Sequence, residues 1–146
     1  MARRSGLLLC ALALGLTACG RTHDDAGTRQ AARAAAQGYV SDFGRRDGPG
    51  MCAHMTTALQ RRFTGAVSRA NPQLSGKPCA DVMQAALDTL PDDDVARFAA
   101  ARIATVAVKG DQGNFRYQLG QIVVDGKVAR EGDAWKVSCC VPGQGG

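Results

Sequence analysis

Near Arg97 the apolar periodicity of this chain changes from about 3.6 residues to 2, and that switch restricts the fold more than any other feature of the sequence. Before it, apolar residues recur at spacings of three and four. After it, Val, Ile, Phe, Tyr and Trp alternate with polar residues, and glycines punctuate the runs. Helices first and strands second, segregated along the chain, imply an α+β plan: three N-terminal helices packed on a curved antiparallel sheet.

The helical half divides at its breakers. Thr28 to Phe43 carries Ala32, Ala35, Ala36, Tyr39, Val40 and Phe43 on one face, with Asp24 or Asp25 placed to cap it and Gly44 to stop it. Asp47-Gly48-Pro49-Gly50 is turn chemistry. Met51 to Met55 predicts a short helix, and Thr56 caps a longer one through Leu59, Phe63 and Val67 until Asn71-Pro72 breaks it. Cys79 to Leu90 places Val82, Met83, Ala86, Leu87 and Leu90 on one face and ends at Pro91. Asp92-Asp93-Asp94 lacks the alternating ligands, the glycine and the distal glutamate of a calcium loop, and reads as a solvated turn and helix cap.

In the second half, strands are expected at Ile103 to Val108, Asn114 to Leu119, Gln121 to Val124, Lys127 to Arg130 and Ala134 to Val141. A hairpin loop covers residues 109–113, Gly120 is a bulge, Asp125-Gly126 is a tight turn, and Glu131-Gly132-Asp133 turns again.

The N-terminus points to a location. Arg3-Arg4, an apolar run from Leu7 to Leu16, and Leu16-Thr17-Ala18-Cys19 resemble a bacterial lipoprotein signal with its lipobox. The run is shorter than the roughly 20 apolar residues that a spanning helix requires. The resemblance implies cleavage before Cys19, acylation of Cys19, and a cell-membrane location on the extracytoplasmic face. Residues 1–18 are then the signal peptide, 19–27 the lipidated N-terminus and tether, and 28–146 the domain.

Charge excludes one class of partner. The chain has 18 Lys and Arg against 13 Asp and Glu, and loss of Arg3 and Arg4 with the leader reduces its net charge to +3. No basic block exceeds the pairs Arg45-Arg46 and Arg61-Arg62, so nucleic acid is not an expected partner.

Ala36-Gln37-Gly38-Tyr39-Val40 leading to Arg46-Asp47-Gly48, then Met51-Cys52-Ala53-His54-Met55-Thr56, then Arg130-Glu131-Gly132-Asp133-Ala134-Trp135-Lys136-Val137, resemble the NTF2-like (SnoaL-like) α+β cone of small bacterial lipoproteins. The likeness runs from about residue 28 to 141. It implies a concave pocket, leaves the reaction open, and is compatible with a homodimer. Enzymes of that superfamily use acid/base pairs inside the cone. Here His54 has Asp42 and Tyr39 as its nearest candidate partners, although a capping or surface role for His54 is the simpler reading, and no catalytic residue is assigned. If the sheet curls over the first helix, Tyr39, Phe43, Tyr117 and Trp135 are natural linings for an apolar cavity.

With Cys10 in the leader and Cys19 acylated, Cys52, Cys79, Cys139 and Cys140 remain, an even number in a compartment that permits disulfides. Three connectivities exist. Cys52 with Cys79 is favoured because it ties two helical units across the loop-rich segment between them. Cys139 reads as a small core residue, and Cys140 as free or bridged to a helix. A thiol redox sensor at Cys139 and Cys140 is the sharper alternative, without the CxxC motif that would strengthen it. No ligand spacing for a metal is present and no cofactor is expected.

The functional expectation is therefore a lipid-anchored envelope protein, more a binder than an enzyme, taking a small apolar ligand or a protein partner in or near a cone-shaped pocket. The alternatives are an isomerase- or dehydratase-type enzyme of the same fold using His54 and Asp42, and the thiol sensor.

Overall fold

The computed structural model describes residues 25–139. The expectations for the leader, for Cys19 and for Cys140 lie outside the described residues. Within them, five α-helices and one short 3₁₀ turn precede a four-stranded antiparallel sheet, which establishes the α+β class.

Helix α1 (Asp25–Gly44) begins inside the stretch read as tether and is 20 residues long, about 30 Å at 1.5 Å per residue. It buries Ala32, Ala35, Ala36, Tyr39, Val40 and Phe43, the face read from the sequence. Its exit is set by Arg46 as well as by Gly44. Arg46 adopts the left-handed conformation (φ 55°), and its guanidinium donates to the Leu90 carbonyl at 2.8 Å and to Asp92 at 2.6 Å. A cation thereby meets the carbonyls that follow a helix C-terminus.

The turn residue Asp47 is also the cap of α2 (Gly48–Ala53), accepting the Gly50 N–H at 2.9 Å. Thr56 caps α3 (Thr57–Ala70) by accepting the Leu59 N–H, as its sequence position implies. A 3₁₀ turn (Pro72–Leu74) and α4 (Cys79–Asp88) follow. The expectation of three helices is corrected by α5 (Asp92–Ala99), which takes in the acidic triple read as a turn. Three carboxylates in a first turn complement the positive end of the helix macrodipole, and Val95 anchors the helix in the core.

Strands β1 (Arg102–Lys109), β2 (Gln112–Leu119), β3 (Ile122–Glu131) and β4 (Ala134–Cys139) pair in sequence order. Two expected short strands are one, β3, and Asp125-Gly126 is not a turn: Gly126 pairs with Phe115 and Asp125 with Arg116 in mid-sheet. Gly120 is not a bulge but part of the β2–β3 turn, at φ 58°, a conformation that glycine adopts without strain.

Helix α1 packs against the two edge strands, β1 and β4, more extensively than against the central ones. Both edges are occupied. Beside β1, the Gln37 side chain accepts the Ile103 N–H at 3.0 Å, and the Arg33 guanidinium reaches the Ile103 and Ala104 carbonyls where the strand bulges. Beside β4, Val137 exchanges backbone hydrogen bonds with His54 and Thr56 at 2.7 and 2.9 Å. Such cover shortens the unpaired edges that invite association. The core between the helices and the sheet contains Tyr39, Phe115, Tyr117, Val128, Trp135 and Val137.

Candidate functional site

An apolar cavity of about 560 Å³ opens where α1 ends. Phe43 from α1, Leu90, Phe98 from α5, and Leu119 and Ile122 flanking the β2–β3 turn form its walls, with Asp94 and Arg97 at the rim. Its size falls in the range of small-molecule sites. Ile122 is 62% exposed and the adjoining Val123 55%, an unusual exposure for large aliphatic side chains side by side.

Packed aromatics hold the walls in place. Phe43 and Phe98 meet with ring centroids 4.0 Å apart, Phe98 lies 6.3 Å from Tyr117, and Tyr117 lies 6.1 Å from Phe115. This chain of rings runs from the middle of the core to the cavity wall. Tilted and offset contacts of this kind are favourable beyond the area they bury. At the rim, Arg97 and Asp94 stand 3.6 Å apart, both well exposed, a surface pair of small energetic weight.

Of the four residues expected to line a pocket, Phe43 lines this cavity. Tyr39, Tyr117 and Trp135 are buried core residues at 3%, 2% and 9% exposure. The Tyr39 hydroxyl is buried and has no hydrogen-bond partner among the described residues, and burial raises its pKa further above the usual phenol value, with neighbouring Tyr117 adding to the rise. Leu90, Phe98, Leu119 and Ile122 were missed as wall residues. Phe98 and Leu90 carry helical spacing, yet their convergence on Ile122 depends on α5, which the sequence reading did not contain.

His54 and Asp42 do meet. The Nε2 atom of His54 lies 3.4 Å from Asp42 Oδ2, and Arg45 pairs with the other oxygen of the same carboxylate. Asp42 is 4% exposed. The approach is possible because residue 38 is glycine: a β-carbon there would lie 2.6 Å from His54 Cε1. Around this pair α1 and α2 are tied together, as the Asp47 N–H also donates to the Asp42 carbonyl at 2.9 Å.

Cys52 and Cys79 form a disulfide joining α2 to α4 across 27 positions, the favoured pairing. Cys139 is half-buried and free. Among the described residues no group of three or more His, Cys, Asp or Glu is placed to hold a metal ion, and no helix is long and apolar enough to cross a membrane.

No family model, no curated protein and no solved structure matches this chain.

Proposed function

We propose that this chain is a lipid-anchored envelope protein, held on the extracytoplasmic face through Cys19, whose domain binds a small apolar ligand in the cavity between α5 and the β2–β3 turn and performs no catalysis. The observation that carries the binding role is that cavity: about 560 Å³, walled by Phe43, Leu90, Phe98, Leu119 and Ile122. The anchor is supported by the lipobox-like Leu16-Thr17-Ala18-Cys19. An NTF2-like cone is supported by the order of helices before a four-stranded antiparallel sheet and by the packing of α1 against both edge strands, β1 and β4.

Two measurements test this reading. Intact mass of the membrane-extracted protein is expected to show a chain that begins at Cys19 and carries acyl groups; a free Cys19 thiol overturns the anchor. Titration with an uncharged naphthylamine fluorophore is expected to saturate at one site. Ile122→Asp, at an exposed position, is expected to weaken that binding by about tenfold, since a charge replaces an apolar wall. Absence of saturable binding, or no effect of Ile122→Asp, overturns the binding site.

The meeting of His54 and Asp42 favours a second reading, an acid/base enzyme of the same fold. His54→Ala separates the two. On the binding reading it leaves fluorophore affinity unchanged; loss of turnover of a hydroxy-acyl or enone test substrate in His54→Ala would establish the enzyme instead.

A further inference from the structure

We propose that Lys109, Lys127 and Arg62 form the surface through which the domain lies on a bilayer carrying anionic headgroups. Lys109 on β1, Lys127 on β3 and Arg62 on α3 surround one open depression of about 700 Å³, whose floor includes Gly113 and Ser138. All three cations are exposed. Neither lysine has an ion-pair partner among the described residues, and the Arg62 guanidinium meets the Ser138 carbonyl at 2.8 Å, a neutral acceptor. Elsewhere the sheet neutralises itself, with Arg116 on Asp125 and Lys136 on Glu131. Asp111, in the β1–β2 turn, is two positions from Lys109, and Asp125, two positions from Lys127 on β3, is paired with Arg116, so the rim retains an excess of positive charge.

Two further observations choose a membrane as the occupant. The first turns of α1 lie beside Val106 of β1, three positions along the strand from Lys109. Only five residues lie between Cys19 and Asp25, a reach of about 20 Å when extended, so an acyl group at Cys19 keeps this end of the domain near the headgroups. Where α1 stops, the charges are paired instead: Asp92 and Asp94 at the start of α5 meet Arg46 and Arg97. The helix is about 30 Å long, so these paired charges and the apolar cavity stand well away from the tethered end. An anionic leaflet attracts the near end through Lys109, Lys127 and Arg62, which favours an orientation that a flexible tether alone does not. The orientation rests on the anchored reading, whereas the charge complementarity does not.

The test uses the mature chain, residues 19–146 with Cys19→Ser, so that neither an acyl group nor the apolar leader contributes, and vesicles of phosphatidylcholine with or without phosphatidylglycerol. Each basic side chain at such a surface strengthens binding by about fivefold. Lys109→Glu with Lys127→Glu is therefore expected to weaken binding to the anionic vesicles by tenfold or more and to leave binding to neutral vesicles unchanged. Lys109→Gln with Lys127→Gln is expected to fall between the two. Equal binding of parent and both double variants to anionic vesicles overturns the proposal, as does a preference for anionic vesicles that survives 1 M salt. Because the acyl group is absent from every arm, failure here leaves the anchor to be judged by its own mass measurement.

Discussion

Phe115 lies across Gly126. A β-carbon at residue 126 would fall inside the van der Waals surface of the Phe115 ring, 2.6 Å from its Cε1 atom, and these two residues are cross-strand partners in the middle of the sheet. The ring occupies space that any other side chain on β3 would claim, and from there it packs on Tyr117. This is why an Asp-Gly pair sits inside a strand.

Gly126→Ala is accordingly expected to destabilise the fold by about 1–3 kcal/mol, the usual cost of overpacking. Urea unfolding followed by circular dichroism checks it. In a Phe115→Leu background the same substitution is expected to cost less, because the group it strikes is gone, and equal costs in the two backgrounds would refute the contact as the cause.

Tyr39→Phe is expected to leave stability unchanged or raise it by up to about 1 kcal/mol. The hydroxyl is buried without a partner among the described residues, so its removal relieves a desolvation cost and forfeits no hydrogen bond seen there. A fall in the urea midpoint would show that the hydroxyl has a partner.

Reduction of the Cys52–Cys79 disulfide, or Cys52→Ser with Cys79→Ser, is expected to cost about 3–4 kcal/mol on the chain-entropy account for a loop of this length. Thermal melts with and without reductant measure it. The double serine variant is expected to melt low in both conditions, and only the parent to respond to reductant.

Glu131 gives the acid limb of stability a specific residue. Its carboxylate accepts the Thr57 N–H at the start of α3 at 3.0 Å and the Lys136 ammonium at 3.1 Å, which hold its pKa below the ordinary 4.5. A carboxylate depressed in the folded state contributes stability above its unfolded pKa and loses it as pH falls through the folded one. Glu131→Gln is thus expected to melt lower than the parent near neutral pH, with the gap closing as the pH drops below 4. A gap independent of pH would assign the loss to packing instead.

Much of this was legible in sequence. The buried face of α1, the Thr56 cap and the Cys52–Cys79 pairing follow from spacing and side-chain chemistry, and the structure contains all three. The fifth helix has a local signal, Pro91 followed by three aspartates, but the same residues also serve to end the helix before it, and only the docking of Val95 in the core distinguishes a turn from a helix start. The single long β3 is a different kind of miss. Asp125-Gly126 has the composition of a turn, and only the neighbour on β2 explains it.

By itself the sequence determined the order of helices before strands, the caps that begin them and the cysteines available to bridge, because periodicity, capping and disulfide chemistry act over short spans of chain. The tertiary structure decided which residues meet across long separations: Phe115 with Gly126, His54 with Asp42, and Phe43 with Phe98 and Ile122 around the cavity. Those meetings depend on how the sheet packs against α1 and where α5 docks, and both follow from packing of the whole core, which no local pattern encodes.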